Sequence, residues 1–136
     1  MAGSVTRLRW ASGIMVALGA GHLALIGTLA WTDFAGWVDR GVWAAVPLLD
    51  ETRNGLAFWA GPGSFGVPLV LLGCLTWHLA GRGTPPPAWL GWAVAAWCAV
   101  GGLLLVPSPF VAGVVAGALI VAAAREVTPR PGPPRA

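Results

Sequence analysis

Two histidines, two cysteines and five carboxylates are the residues of this 136-residue chain best suited to acid–base, nucleophilic or metal chemistry, and their spacing keeps them apart. His22 sits in the middle of one apolar run and His78 close to the end of another. A haem held by both would need the imidazoles at one level, yet at 1.5 Å per helical residue they are offset by roughly 10 to 15 Å. The acids, Asp33, Asp39, Asp50, Glu51 and Glu126, all fall outside the apolar runs. Ion- or proton-coupled transport usually needs a carboxylate inside the membrane. Ser12, Ser64 and Ser108 stand in no elbow motif that would make a nucleophile. Cys74 and Cys98 are too few for a zinc site or a disulfide framework and read as small hydrophobes. The expectation is no catalytic residue, no metal and no cofactor. Enzyme activity is left open, with a non-enzyme preferred.

His22 remains the sharpest candidate. It comes twelve residues after Trp10, about 18 Å along a helix, and an ionisable group at that depth of a bilayer is costly and often functional. The plain alternative is a neutral imidazole hydrogen-bonded to a neighbouring helix. Gly13, Ala17 and Gly21, with Ala20 and Ala24, form a small-residue stripe suited to close helix contact, and His22 projects from nearly the opposite face. A second feature lies at a similar level. Gly61, Pro62 and Gly63, followed by Pro68, interrupt an apolar run and free backbone groups that must find partners. His22, Trp59, Pro62, Ser64 and Phe65 are therefore the expected ligand-binding residues, with Asn54 adding an amide at the rim. The competing expectation is a proline kink that only helps helices pack.

The elements that must position these residues follow from composition. Hydrophobic residues make up 57% of the chain and charged ones 10%, against about 25% charged in an average soluble domain. A soluble domain this small could not cover several apolar runs of about 20 residues. The fold class expected is all-α: a polytopic membrane protein of four transmembrane helices, spanning 8–31, 55–80, 88–106 and 110–124. Between the first two, Phe34, Trp37, Val38, Val42, Ala45 and Leu49 recur at helical spacing opposite Asp39 and Arg40, which predicts a short interfacial amphipathic helix. A secretory signal peptide competes for the first run, but that run is too long and no small-x-small site precedes Thr32 and Asp33. In the fourth span Gly113 and Gly117 form GxxxG, read as packing within the bundle. Residues 1–124 form a single four-helix transmembrane domain, and 125–136 a disordered, basic, proline-rich tail.

Charge sets the expected orientation. Arg7, Arg9, Arg82, Arg125, Arg130 and Arg135 fall on one side of four such spans, and only Arg40 and Arg53 on the other. The positive-inside rule puts both termini in the cytoplasm of a multi-pass inner (plasma) membrane protein. Eight of the nine tryptophans fall at the resulting interfaces, with Trp97 alone at mid-depth. The arginines are dispersed over tails and connections, which suits anionic headgroups and speaks against nucleic acid. Membrane lipids are the expected partners, with a second copy or another membrane protein left open. Abundant Ala, Gly, Pro, Val and Arg suggest a genome rich in G and C.

The chain resembles a family of small bacterial membrane proteins, domain of unknown function 6463. The likeness is carried by Arg9-Trp10 with Gly21-His22, by Ser64-Phe65-Gly66-Val67-Pro68-Leu69, and by Pro86-Pro87 leading into Trp89 and Trp92. It covers most of the chain to about residue 110. The resemblance implies four spans and no activity. Two functions are carried forward: an accessory bundle binding a lipid-like or small apolar ligand, and a small transporter or a subunit of a transport complex.

Overall fold

The computed structural model describes residues 2–105 and 108–127. Among them every regular element is helical: α1 (Ala2–Leu29), α2 (Trp31–Asp39), α3 (Arg53–Ala60), α4 (Gly66–Gly81), α5 (Ala88–Leu104) and α6 (Phe110–Val127). The helix stops are written in the residues that cannot continue a helix. Gly83 takes a left-handed φ of 68° after α4, and the Thr84 amide turns back to the Leu79 carbonyl at 3.1 Å. Pro87 then occupies the N-cap of α5, where its missing N–H costs nothing. Pro68 lies in the first turn of α4 for the same reason, so it starts that helix and does not kink it.

Two expectations on element length are corrected. The expected second span is two helices, because residues 61–65 separate α3 from α4. The expected interfacial helix is α2 alone, nine residues long. Helix stops at Asp39 because Gly41, Val42 and Ala44 all adopt positive φ, and Pro47 cannot donate the next helical bond. Among the described residues, only Gly3–Leu29 is long and apolar enough to cross a membrane, and Gly66–Gly81 and Ala88–Leu104 are shorter apolar helices. Helix α6 continues to Val127, and the rest of the expected tail, 128–136, lies outside the described residues. So do Val106 and Pro107 of the turn into α6.

The helices form two compact units, Met1–Met15 with Leu72–Ala136, and Val16–Leu71. In the first, Leu8, Met15, Thr76, Cys98 and Ile120 are fully buried. Its buried hydroxyls have partners: Ser12 Oγ donates to the Gly73 carbonyl, and Thr76 Oγ1 to the Leu72 carbonyl at 2.8 Å. Helices α5 and α6 run antiparallel and touch backbone to backbone. A methyl group at Gly91 would stand 2.6 Å from the Gly117 carbonyl oxygen and 2.8 Å from a Val121 methyl. The second unit repeats this joint between α1 and α4. A methyl group at Gly19 would stand 2.6 Å from the Gly66 carbonyl oxygen and 2.8 Å from a Val70 methyl. In both pairs the glycine meets a glycine and, four residues on, a valine. The expected stripe on α1 packs differently, since Gly13 and Gly21 have nothing within 4 Å where a side chain would go.

Candidate functional site

The candidate site belongs to the second unit, where α3 breaks off. Gly61, Pro62 and Gly63 end the helix in turns closed by Gly61 N–H on the Ala57 carbonyl and Gly63 N–H on the Phe58 carbonyl. The Ser64 amide, which a continuing helix would give to the Ala60 carbonyl, donates instead to the Gly61 carbonyl at 3.0 Å, so the Ala60 oxygen loses its helical donor. His22, on α1, takes that place: its Nε2 lies 2.8 Å from the Ala60 oxygen. A carbonyl only accepts, so Nε2 carries the hydrogen and donates. Phe65 packs against the same imidazole, ring centroids 4.6 Å apart and tilted by 39°.

The other expected site residues take separate positions. Ser64 Oγ accepts the Gly66 amide hydrogen at 3.1 Å, which fixes the first turn of α4. Trp59 is 54% exposed and meets Phe58 edge-on at 5.2 Å. Pro62 is exposed at the turn. The chain therefore brings His22 and Phe65 together, while Ser64 acts on the backbone and Trp59 and Pro62 face outward. Asn54 is not an idle rim amide. Its Oδ1 accepts from Trp37 Nε1 at 2.5 Å and Arg40 Nη2 at 3.4 Å, and its Nδ2 donates to Asp50 Oδ2 at 2.7 Å and the Ala45 carbonyl at 3.3 Å. One side chain thus ties α2, the following loop and α3 together.

Asp50 is the electrostatic counterpart of Asn54. The Thr52 hydroxyl, the Asn54 amide and the Thr52 backbone N–H all donate to its carboxylate and hold its pKa below the ordinary 3.8. A methyl group at Gly55 would overlap the Asp50 carbonyl, so only glycine fits where the loop folds over the start of α3. The spacing Asp50, Thr52, Asn54, Gly55 was the sequence signal for this knot: a carboxylate two residues ahead of a helix start caps its own backbone.

Two concavities flank these residues. One, of about 520 Å³, is polar-rimmed and lined by Asp33, Arg40, Asp50, Thr52 and Asn54 among others. The second, of about 490 Å³, is lined by Ala24, Gly27, Thr28, Trp31 and Phe34. The Thr28 hydroxyl is turned back onto the Leu25 carbonyl at 2.7 Å, which leaves this second wall almost wholly apolar. Among the described residues no group of three or more His, Cys, Asp or Glu side chains could hold a metal ion. Cys74, exposed, and Cys98, buried, are free thiols.

No curated protein and no solved structure matches the chain. The profile of a family of unknown function (DUF6463) matches residues 6–127, nearly the whole of the described chain. The chain belongs to that family of unknown function, DUF6463.

Proposed function

We propose that this is an integral membrane protein whose chain crosses the bilayer four times, through α1, α3 with α4, α5 and α6, and that its second unit holds a lipid-like or small apolar molecule. The observation that carries the membrane half is inverted burial. Leu71, Leu103, Leu104 and Val111 are more than 60% exposed, while Ser4, Ser12 and Thr76 are buried. Water would reverse that pattern. In the long apolar helix Gly3–Leu29 only 17% of the most apolar window is buried, whereas the core helix of a soluble protein is mostly buried. A cleaved leader accounts poorly for α1, because Leu8, Ala11 and Met15 on it are buried to 1% exposure or less.

The direction of the crossings draws on contacts in the first unit. Arg7 pairs with Glu126, the Arg9 guanidinium lies 5.5 Å from the Trp77 ring centre, and that of Arg125 lies 5.9 Å from Trp92. These join the start of α1 to the end of α6, the start of α1 to the end of α4, and the start of α5 to the end of α6. With arginines concentrated there, both termini are assigned to the cytoplasm of an inner (plasma) membrane protein.

The open groove at Ala24, Gly27, Trp31 and Phe34 supports the binding half, because its almost wholly apolar wall offers a face to a lipid-like chain. His22 and Phe65, which pack on each other, and Ser64, which holds the first turn of α4, belong to the same unit as this groove. Mass spectrometry of the detergent-purified chain should find a co-purifying apolar molecule, and Gly27→Leu should displace it by filling the groove. An empty wild-type chain would remove the binding half of this reading. A small transporter, or a subunit of one, is the second reading, favoured by the break between α3 and α4, because discontinuous helices line transport sites. Substrate movement in proteoliposomes would separate it from simple binding.

A further inference from the structure

The five described arginines other than Arg82 divide into two kinds. Arg7 is neutralised by Glu126 and Arg53 by Asp33, while Arg40 is held by Asn54. Arg9 and Arg125 have no carboxylate partner among the described residues. Each instead lies over an indole, Arg9 on Trp77 at 5.5 Å and Arg125 on Trp92 at 5.9 Å. A guanidinium held over an indole keeps its charge and its N–H donors, which no carboxylate takes up. That is the arrangement a phosphate diester needs, with two parallel hydrogen bonds to a pre-positioned cation.

The surroundings point to a lipid and not a free ion. Trp10 and Trp89, one residue after Arg9 and three before Trp92, are 67% and 66% exposed. Indoles left uncovered beside unpaired cations suit the headgroup layer, where one part of the ring is wet and the rest apolar. We propose, on the membrane reading above, that the Arg9–Trp77 and Arg125–Trp92 pairs bind the phosphates of anionic phospholipid headgroups, one lipid at each pair. Glu126 limits the site to two cations by holding Arg7.

The test uses the full chain in uncharged detergent, with equal amounts of dioleoyl phosphatidylglycerol and dioleoyl phosphatidylcholine, and counts retained lipids by native mass spectrometry. The wild-type chain retains phosphatidylglycerol preferentially, and Arg9→Gln and Arg125→Gln each lower that preference about fivefold. Glu126→Gln frees Arg7 and raises it by a similar factor, while Arg53→Gln leaves it unchanged. Excess inorganic phosphate does not displace the lipid; displacement would overturn the lipid assignment in favour of an ion site. Equal retention of the two lipids by the wild-type chain would overturn the proposal even if a variant failed to fold. That failure is distinct from failure of the membrane reading, which would appear as release of the chain from membranes by an alkaline wash.

Discussion

His22 on α1 donates its Nε2 hydrogen to the carbonyl of Ala60, the last residue of α3, across 2.8 Å. The bond substitutes a side chain for the backbone donor that the Gly-Pro-Gly turn removes. Replacing His22 by Ala leaves a half-buried carbonyl without that partner, at a cost of about 1–3 kcal/mol. Thermal unfolding in detergent should show the loss, and His22→Gln, which restores an amide donor, should recover part of it. An unchanged midpoint for His22→Ala would mean that water serves the carbonyl equally well.

The glycine joints make a sharper forecast, because glycines on the same chain are predicted to differ. At Gly117 an added methyl group would stand 2.5 Å from the Gly91 carbonyl oxygen and 2.7 Å from the Ala95 amide nitrogen. These are backbone atoms and cannot swing aside. Gly117→Ala should therefore destabilise by about 1–3 kcal/mol, whereas Gly13→Ala, with nothing within 4 Å, should not destabilise and should raise the midpoint slightly through its helix propensity.

Asp50 supplies the pH dependence. Its pKa is lowered in the folded chain, chiefly by the Thr52 side chain and then by Asn54. The unfolded chain therefore binds the proton first as pH falls. The stabilisation is complete above the ordinary value of 3.8 and is lost as pH drops through the lower folded value. Unfolding midpoints measured down to acid pH should fall in this window for the wild-type chain. Asp50→Ala, less stable at neutral pH, should flatten the dependence, and parallel curves would show that other groups control it.

Much of the helix layout was legible because glycine and proline act locally. The end of α3 and the starts of α4 and α5 follow from residues that lack a side chain or an amide hydrogen. Packing faces were far less legible. Along α1 the small stripe at Gly13, Ala17 and Gly21 looked like the contact face, yet the glycine that meets another backbone is Gly19. In a helix apolar all round, no contrast between wet and dry faces marks the buried side, and contact is settled by the shape of the neighbour. The loop after α2 departs from the expected helix for a related reason. Val42, Ala45 and Leu49 keep helical spacing, but the pull of Asn54 on Ala45 and the block at Pro47 are tertiary and local facts that periodicity does not register. At the candidate site, the pairing of an ionisable ring with a freed carbonyl could be anticipated from chemistry. The fourfold bonding of Asn54 could not, because its partners are spread from Trp37 to Asp50.

The four-crossing reading is tested most directly by topology reporters fused after Glu51, after Arg82 and at the carboxyl terminus of chains expressed in a bacterial inner membrane. The proposal predicts an external signal after Glu51 and cytoplasmic signals after Arg82 and at the terminus. The same signal after Glu51 and at the carboxyl terminus would contradict it.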